Sequence, residues 1–351
     1  MLGAFVLPTE CLFAWVSKLV GAYDLYGPVA AKKNQTIFRK IEKAEDLKLD
    51  YGSTMTSPRS LIYPSRQDLC TIDRKTHQHK TVTQVRAKKR IIFAIHPCDM
   101  HAISVLDRTF LGDFKDFYYG ELRHETLTVV LNCSKACPQG FCASMGTGPF
   151  LQIEQGFDLV LTGKSKNYLV EYGSERGKRL LDKASGLRRA RRNDLAEKEN
   201  IESRAKKTFA KGLETIGLPD LLMRNLDHPV YERTAERRCL GCTNCTMVCP
   251  TCYCYNVEDH TEFDLSTTTR QRHWDSCQEL NFARVHEGNF RSSRQARLRQ
   301  FVTHKLATWL EQYGCFGCVG CGRCMTWCPT GIDLTEIAKE IQRDYEAGRA
   351  K

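Results

Sequence analysis

No apolar run in this 351-residue chain approaches the ~20 residues a helix needs to span a bilayer, so a membrane role would have to come through a partner. The marks of nucleotide and acyl-transfer chemistry are missing too. There is no Walker motif and no hydrolase elbow, and the pair Gly146 and Gly148 falls short of a full GxGxxG and precedes a strand-like segment. Flavin or NAD(P) binding by the chain itself is therefore not supported. The apolar N-terminus, MLGAFVLPTECLFAWVSKLVGAY, lacks the basic n-region and small-residue cleavage site of a signal peptide. Its Leu12, Trp15, Val16, Leu19 and Val20 recur at helical spacing and predict a core helix.

What is abundant is cysteine. Eighteen cysteines in a small secreted scaffold would mean disulfides. In a chain of this length, with 42% hydrophobic and 26% charged residues, most of them fall in CxxC-type runs, which points to metal ligation in a reducing compartment. The formal charge of +11 counts every thiol as neutral. An oxidised [4Fe-4S] centre with four thiolates carries about −2, so two centres bring the chain to about +7 and three to about +5. The basic excess then partly compensates buried cluster charge and is a poor argument for nucleic acid binding.

Length and pattern predict an α/β N-terminal domain followed by an α-helical dicluster ferredoxin domain. Residues 1–172 read as α/β, with strands at Ile91–Ile95, Thr126–Leu131, Phe157–Leu161 and Tyr168–Tyr172. A helix is predicted at Met100–Phe110, with Asp99 as its N-cap. Residues 173–232 form a charged, helix-favouring connector that includes Arg188, Arg189, Arg191 and Arg192, read as a solvated face rather than an anion-binding patch. Residues 233–351 read as helices separated by cysteine loops. One helix spans Arg294–Tyr313, with Leu298, Phe301, Val302, Leu306, Trp309 and Leu310 at three- and four-residue spacing and Gly314 as its stop. Another begins at a cap on Asp333 and ends at Gly348.

Two copies of one motif carry the chemistry. Cys239-x2-Cys242-x2-Cys245-x3-Cys249-Pro250 recurs as Cys318-x2-Cys321-x2-Cys324-x3-Cys328-Pro329. Three thiolates two residues apart can wrap a loop around three corners of a cubane, while the fourth, followed by Pro, points elsewhere. In two-cluster ferredoxins that fourth cysteine ligates the other cluster. Cluster A is thus assigned Cys239, Cys242, Cys245 and Cys328, and cluster B Cys318, Cys321, Cys324 and Cys249. The crossed pattern requires both runs side by side, with helices in the intervening segment folding the chain back. Zinc needs only two CxxC pairs, whereas each run here supplies four thiolates with a terminal Cys-Pro. Cys252, Cys254 and Cys277 are extra, a buried structural role being a common fate of such thiols, and Cys315 reads as incidental.

A second constellation lies in the N-terminal domain. Cys98 follows one predicted strand in the loop His96-Pro97-Cys98-Asp99, and Cys133, Cys137 and Cys142 follow the next. Adjacent strand ends would bring these four cysteines to one sheet edge, where they could hold a third [4Fe-4S] cluster. Buried, redox-inert thiols are the alternative. His96 and His101 could also be ligands, although a lone histidine is more often a satisfied polar residue.

The segments HPCDMHAISVLDRTFLG, FCASMGTGP, CLGCTNCTMVCPTCYCYNVED, RHWDSCQ, HEGNFR and FGCVGCGRCMTWCP together resemble the iron–sulfur β subunit of cytoplasmic sulfhydrogenase-type [NiFe] hydrogenases and its similar counterpart, the iron–sulfur subunit of anaerobic sulfite reductase. The resemblance covers the chain from the Pro-Cys-Asp loop to the last helix. It implies an electron-transfer subunit of a soluble cytoplasmic complex, passing electrons between a flavin subunit that handles NAD(P)H and a separate catalytic hydrogenase or reductase subunit. Two departures stand out: His96 occupies a position where the family commonly has Arg, and Gly140-Phe141-Cys142 replaces a Cys-Phe-Cys, leaving Cys137 to supply the missing thiol. The competing expectation is an enzyme in its own right, with an open-site N-terminal cluster.

Overall fold

The computed structural model describes residues 2–32, 35–82 and 89–349. The chain opens with β1 (Gly3–Pro8), α1 (Thr9–Ala22), β2 (Asp24–Ala30) and β3 (Thr36–Lys40), followed by a hairpin, β4 (Arg66–Asp73) and β5 (His79–Thr81). Next come β6 (Arg90–Ile95), α2 (Pro97–Phe110), α3 (Phe117–His124), β7 (Thr126–Leu131), β8 (Leu159–Gly163) and β9 (Asn167–Tyr172). After α4 (Glu175–Leu181), β10 (Arg188–Arg189) and α5 (Arg192–Lys206), the C-terminal part runs through α6 (Leu218–Arg224), α7 (Pro229–Arg237) and α8 (Asn244–Met247). It continues with β11 (Tyr255–Thr261), β12 (Thr267–Trp274), β13 (Arg284–Val285) and β14 (Gly288–Asn289), and ends with α9 (Arg294–Thr303), α10 (Trp309–Tyr313), α11 (Arg323–Thr326) and α12 (Leu334–Glu346).

The main sheet has eight strands in the order β10-β1-β9-β8-β7-β6-β2-β3. Its centre, β2-β6-β7-β8, is parallel, and both flanks are antiparallel. Every residue of β6 and β7 is buried, as expected of parallel strands covered on both faces. One face packs on Leu12, Trp15, Val16 and Leu19 of α1, the other on Met100, Ile103 and Leu106 of α2 with Tyr63. Val20, expected on the same stripe as the α1 residues, packs at its margin, partly buried. Because β6 and β7 are adjacent and parallel, the loops that carry Cys98 and Cys133 leave the same sheet edge. A bulge at Ala94, which adopts φ +58, re-aims the end of β6 just before that loop.

Several local expectations are corrected. The helix carrying Cys98 starts at Pro97, because proline suits the first helical position, and its N-cap is His96. Asp99 caps nothing; it is turned inward as an ion-pair partner. Arg188 and Arg189 extend the sheet beside β1, and Arg188 pairs with Asp194 in the first turn of α5. The segment between the two cysteine runs, expected to be helical, carries the long hairpin β11-β12 before α9. β12 pairs with β4, so strands distant in sequence form one sheet, β11-β12-β4-β5. The Thr-rich stretch Thr267-Thr268-Thr269 suits such a half-exposed strand. The predicted helix Arg294–Tyr313 runs over those bounds but widens to a π-helical turn at His304–Thr308. Gly314 terminates it at φ +66. Asp333 caps α12, its carboxylate accepting from Thr335 N–H at 2.8 Å.

A candidate iron–sulfur relay

The two C-terminal runs fold as equivalent loops. Gly241 and Gly320, third in each run, have φ +67 and +61, and Thr243 and Gly322, fifth in each, have φ +63 and +76. Each loop thereby curls back twice before launching a short helix, α8 or α11, which turns successive cysteines toward a common centre. The helices lie against one another, with the Asn244 side chain donating to the Trp327 carbonyl. Both loops also end alike, with the Thr251 hydroxyl 3.2 Å from Cys249 Sγ and the Thr330 hydroxyl 3.4 Å from Cys328 Sγ.

Cys239, Cys242, Cys245 and Cys328 line a single, largely apolar cavity, closed by Leu298, Phe301 and Ile337. Cys328 comes to it from the second run. Cys318, Cys321 and Cys324 each lie within electrostatic reach of Cys249 of the first run, and Cys324 also lines the first cavity. Backbone N–H groups point at sulfur in both places, Gly320 at Cys318 and Ile332 at Cys328, each at 3.3 Å. Burial pushes the Cys245 and Cys318 thiols up to about 12 and Cys321 up to about 11. Thiolates form in such a pocket when bound iron supplies positive charge. An all-sulfur donor set, converging N–H groups and an apolar shell fit a cubane.

The N-terminal cysteines meet the second run directly. Cys98 and Cys142 share an apolar cluster with Cys321, Val319, Trp309 and Ala102. Phe141 N–H donates to the Gly320 carbonyl at 2.7 Å, and the Thr147 hydroxyl to the Val319 carbonyl at 2.7 Å. A Cβ on Gly320 would sit 2.7 Å from the Cys142 backbone, and one on Gly322 2.3 Å from Gln139 O, so the contact depends on both glycines. Cys133 lies within electrostatic reach of Cys137 and Cys142, and Cys98 within reach of Cys142. Gly148 serves packing: its missing side chain leaves room for Cys142 Sγ, 2.7 Å from where a Cβ would lie.

The histidines have other engagements. The His96 ring stacks on Tyr51 at 4.0 Å, and His101 Nε2 accepts from Gln152 N–H at 3.4 Å. Burial lowers both to about 4, leaving neutral rings at physiological pH. Cys315 sits beside Arg108. Cys252, Cys254 and Cys277 collect around the Lys305 ammonium next to Cys249.

Three buried polar residues beside these sites escaped the sequence reading: Arg323, Ser57 and Lys305. Arg323, inside the second run and fully buried, donates from Nη2 to Asp99 Oδ2 at 2.9 Å and from Nε to the Thr54 carbonyl at 2.8 Å. Ser57 Oγ donates to the other oxygen of Asp99 at 3.0 Å. This pair ties the α/β unit to the dicluster loop between Cys98 and Cys321. Lys305 is the third, and its only sequence signal is a charge on an apolar stripe.

Residues 238–332 match the 4Fe-4S dicluster domain family. The chain is 33% identical over 342 residues to sulfhydrogenase 2 subunit beta of Pyrococcus furiosus, covering 96% of this chain and 97% of that protein. No solved structure matches it. With that identity running along nearly the full length of both chains, and two [4Fe-4S] sites in the matched domain, this protein belongs to the sulfhydrogenase β-subunit family of iron–sulfur proteins.

Proposed function

We propose that this chain is the electron-transfer subunit of a cytoplasmic oxidoreductase complex, relaying electrons between a flavin subunit that handles NAD(P)H and a catalytic hydrogenase or reductase subunit. The observation that carries the reading is the continuity of thiols from the surface to the sheet edge. Cys242 is exposed beside the exposed Leu240, Cys245 and Cys324 are neighbours across the two runs, and Cys321 adjoins Cys98 and Cys142. In this reading Cys239, Cys242, Cys245 and Cys328 hold cluster A, and Cys318, Cys321, Cys324 and Cys249 hold cluster B. Cys98, Cys133, Cys137 and Cys142 hold a third cubane. The α/β unit of residues 1–172 carries that third centre, 173–232 connects, and 233–351 carries the other two. Bound clusters supply one-electron transfer, while the protein sets their potentials through burial, N–H···S bonds and fixed charge. No helix among the described residues is long and apolar enough to cross a membrane.

Anaerobic purification with iron analysis tests the ligand assignment. About twelve iron atoms per chain are expected for three cubanes, and about eight would remove the N-terminal one. Co-purification from the native host tests the partners, with a flavoprotein and a metal-containing catalytic subunit expected together.

One cleft favours a second reading, an enzyme with an open N-terminal cluster. It opens at the C-terminal ends of β7 and β8, lined by Cys133, Asn132, Tyr51, His96, Lys135 and Lys164, where ligands of parallel sheets commonly bind. A small-ligand perturbation of one cluster's magnetic resonance spectrum, lost in Cys133→Ala, would support it.

A further inference from the structure

Lys305 is 4% exposed, and among the described residues no carboxylate pairs with it. Its Nζ donates to Thr251 Oγ1 at 2.8 Å. That oxygen lies 3.2 Å from Cys249 Sγ and 2.7 Å from the Gly317 carbonyl, to which its hydroxyl can donate. The residue occupies the π-helical turn His304–Thr308 inside the longer helix, and such turns occur frequently at functional sites. An unbalanced ammonium in an apolar interior is costly, and Lys305 lies within electrostatic reach of Cys252, Cys254 and Cys277 as well as Cys249 and Cys318. A cubane on Cys249 and Cys318 would bring net negative charge to balance it.

Other buried cations nearby differ. Arg323 is neutralised by Asp99, and Arg297, near Gly241, donates to the carbonyls of Arg291 and Ser292. Arg59 faces the same thiols as Lys305, but it stacks 3.9 Å over Trp274 and donates to the Met247 carbonyl. Among the described residues, Lys305 is the buried cation connected to Cys249 Sγ through one hydroxyl.

We infer that Lys305 is a positioning residue that raises the reduction potential of the cluster held by Cys249, Cys318, Cys321 and Cys324, by placing a fixed positive charge behind Thr251. The inference rests on the ligand assignment above. A positive charge stabilises the cluster in its more negative, reduced form, so electrons arriving at the second run are held there. Arg59 keeps part of that field when Lys305 is replaced.

The test is a redox titration of the anaerobic full-length protein, followed by electron paramagnetic resonance and paired with iron analysis, for the unsubstituted chain, Lys305→Met and Lys305→Arg. In Lys305→Met one wave is expected to move to lower potential, with the reduced-to-oxidised ratio at fixed ambient potential falling about tenfold, equivalent to ~59 mV for a one-electron couple. The other waves stay in place, and Lys305→Arg restores most of the shift. Full iron content with unmoved potentials in Lys305→Met would overturn the inference alone. Loss of one cluster's iron in both variants would also overturn it, in favour of a packing role. Absence of cubane signals from the unsubstituted chain would bring down the ligand assignment and this inference together.

Discussion

Replacing Cys328 by Ala separates crossed from uncrossed ligation. With Cys328 lining the first run's cavity, Cys328→Ala is expected to release Cys239, Cys242 and Cys245 to an alkylating reagent while Cys318, Cys321 and Cys324 stay protected. Peptide mass spectrometry reads the pattern, and consecutive ligation gives the reverse. Asp99 offers a second single-residue test. Its carboxylate balances Arg323 where both side chains have no exposure at all, so Asp99→Asn leaves a buried guanidinium without its counter-charge. The expected cost is about 3–5 kcal/mol, read as a lower denaturation midpoint of the anaerobic holoprotein. A loss under about 1 kcal/mol would mean that the Thr54 contacts hold Arg323 by themselves.

Among the elements, the loop of the second run and the segment around Cys142 are fitted backbone to backbone. Gly322→Ala is expected to cost about 1–3 kcal/mol from its left-handed conformation alone, with a further penalty from the clash with Gln139 O. Where the N-terminal cysteines hold a cluster, its iron should be lost first in this variant. At the other end of the α/β unit, α5 is pinned by Asp194, which accepts from Arg188, Lys164 and the Arg191 N–H. These bonds hold its carboxyl well below the usual carboxylate range. A group depressed in the folded state contributes stability above its unfolded value, about 3.9, and loses it as pH falls. The stability difference between the unsubstituted chain and Asp194→Asn should therefore shrink between about pH 6 and about pH 3. A pH-independent difference would mean that packing, not charge, makes the contribution.

For the whole molecule, contacts cross the boundary at which the composition changes. β12, between the two cysteine runs, completes its sheet on β4, and the Tyr63 hydroxyl donates to the Tyr253 carbonyl at 3.0 Å. Arg272 of β12 is buried against Gln67 and Asp116. A fragment beginning at Pro229 would expose the β12 edge and leave Arg272 and Arg323 without their acceptors. It is expected to aggregate rather than fold, as size-exclusion chromatography of the isolated fragment would report.

Much of the chemistry was legible locally. The repeated cysteine spacing identifies cubane ligation because a tight loop can offer three thiolates to one cluster only at such intervals. The buried β6 and β7 and the stripes of α1 and α9 follow from periodicity, which reports how an element meets its core. Long-range partnership was not legible. Nothing beside Asp99 in sequence reveals that its partner is Arg323, and Thr267–Trp274 carries no mark of pairing with Arg66–Asp73. Lys305 alone looks like an interruption of an apolar stripe, and its meaning arises when Thr251 and Cys249 arrive from another loop. Residue order alone therefore identifies an iron–sulfur protein with two cluster runs in its C-terminal part, as the matched dicluster domain bears out. How those segments adjoin, and which charges are buried beside them, follows from the folded chain alone, because charge acts through distance and burial, and both are fixed by contacts between residues far apart in sequence.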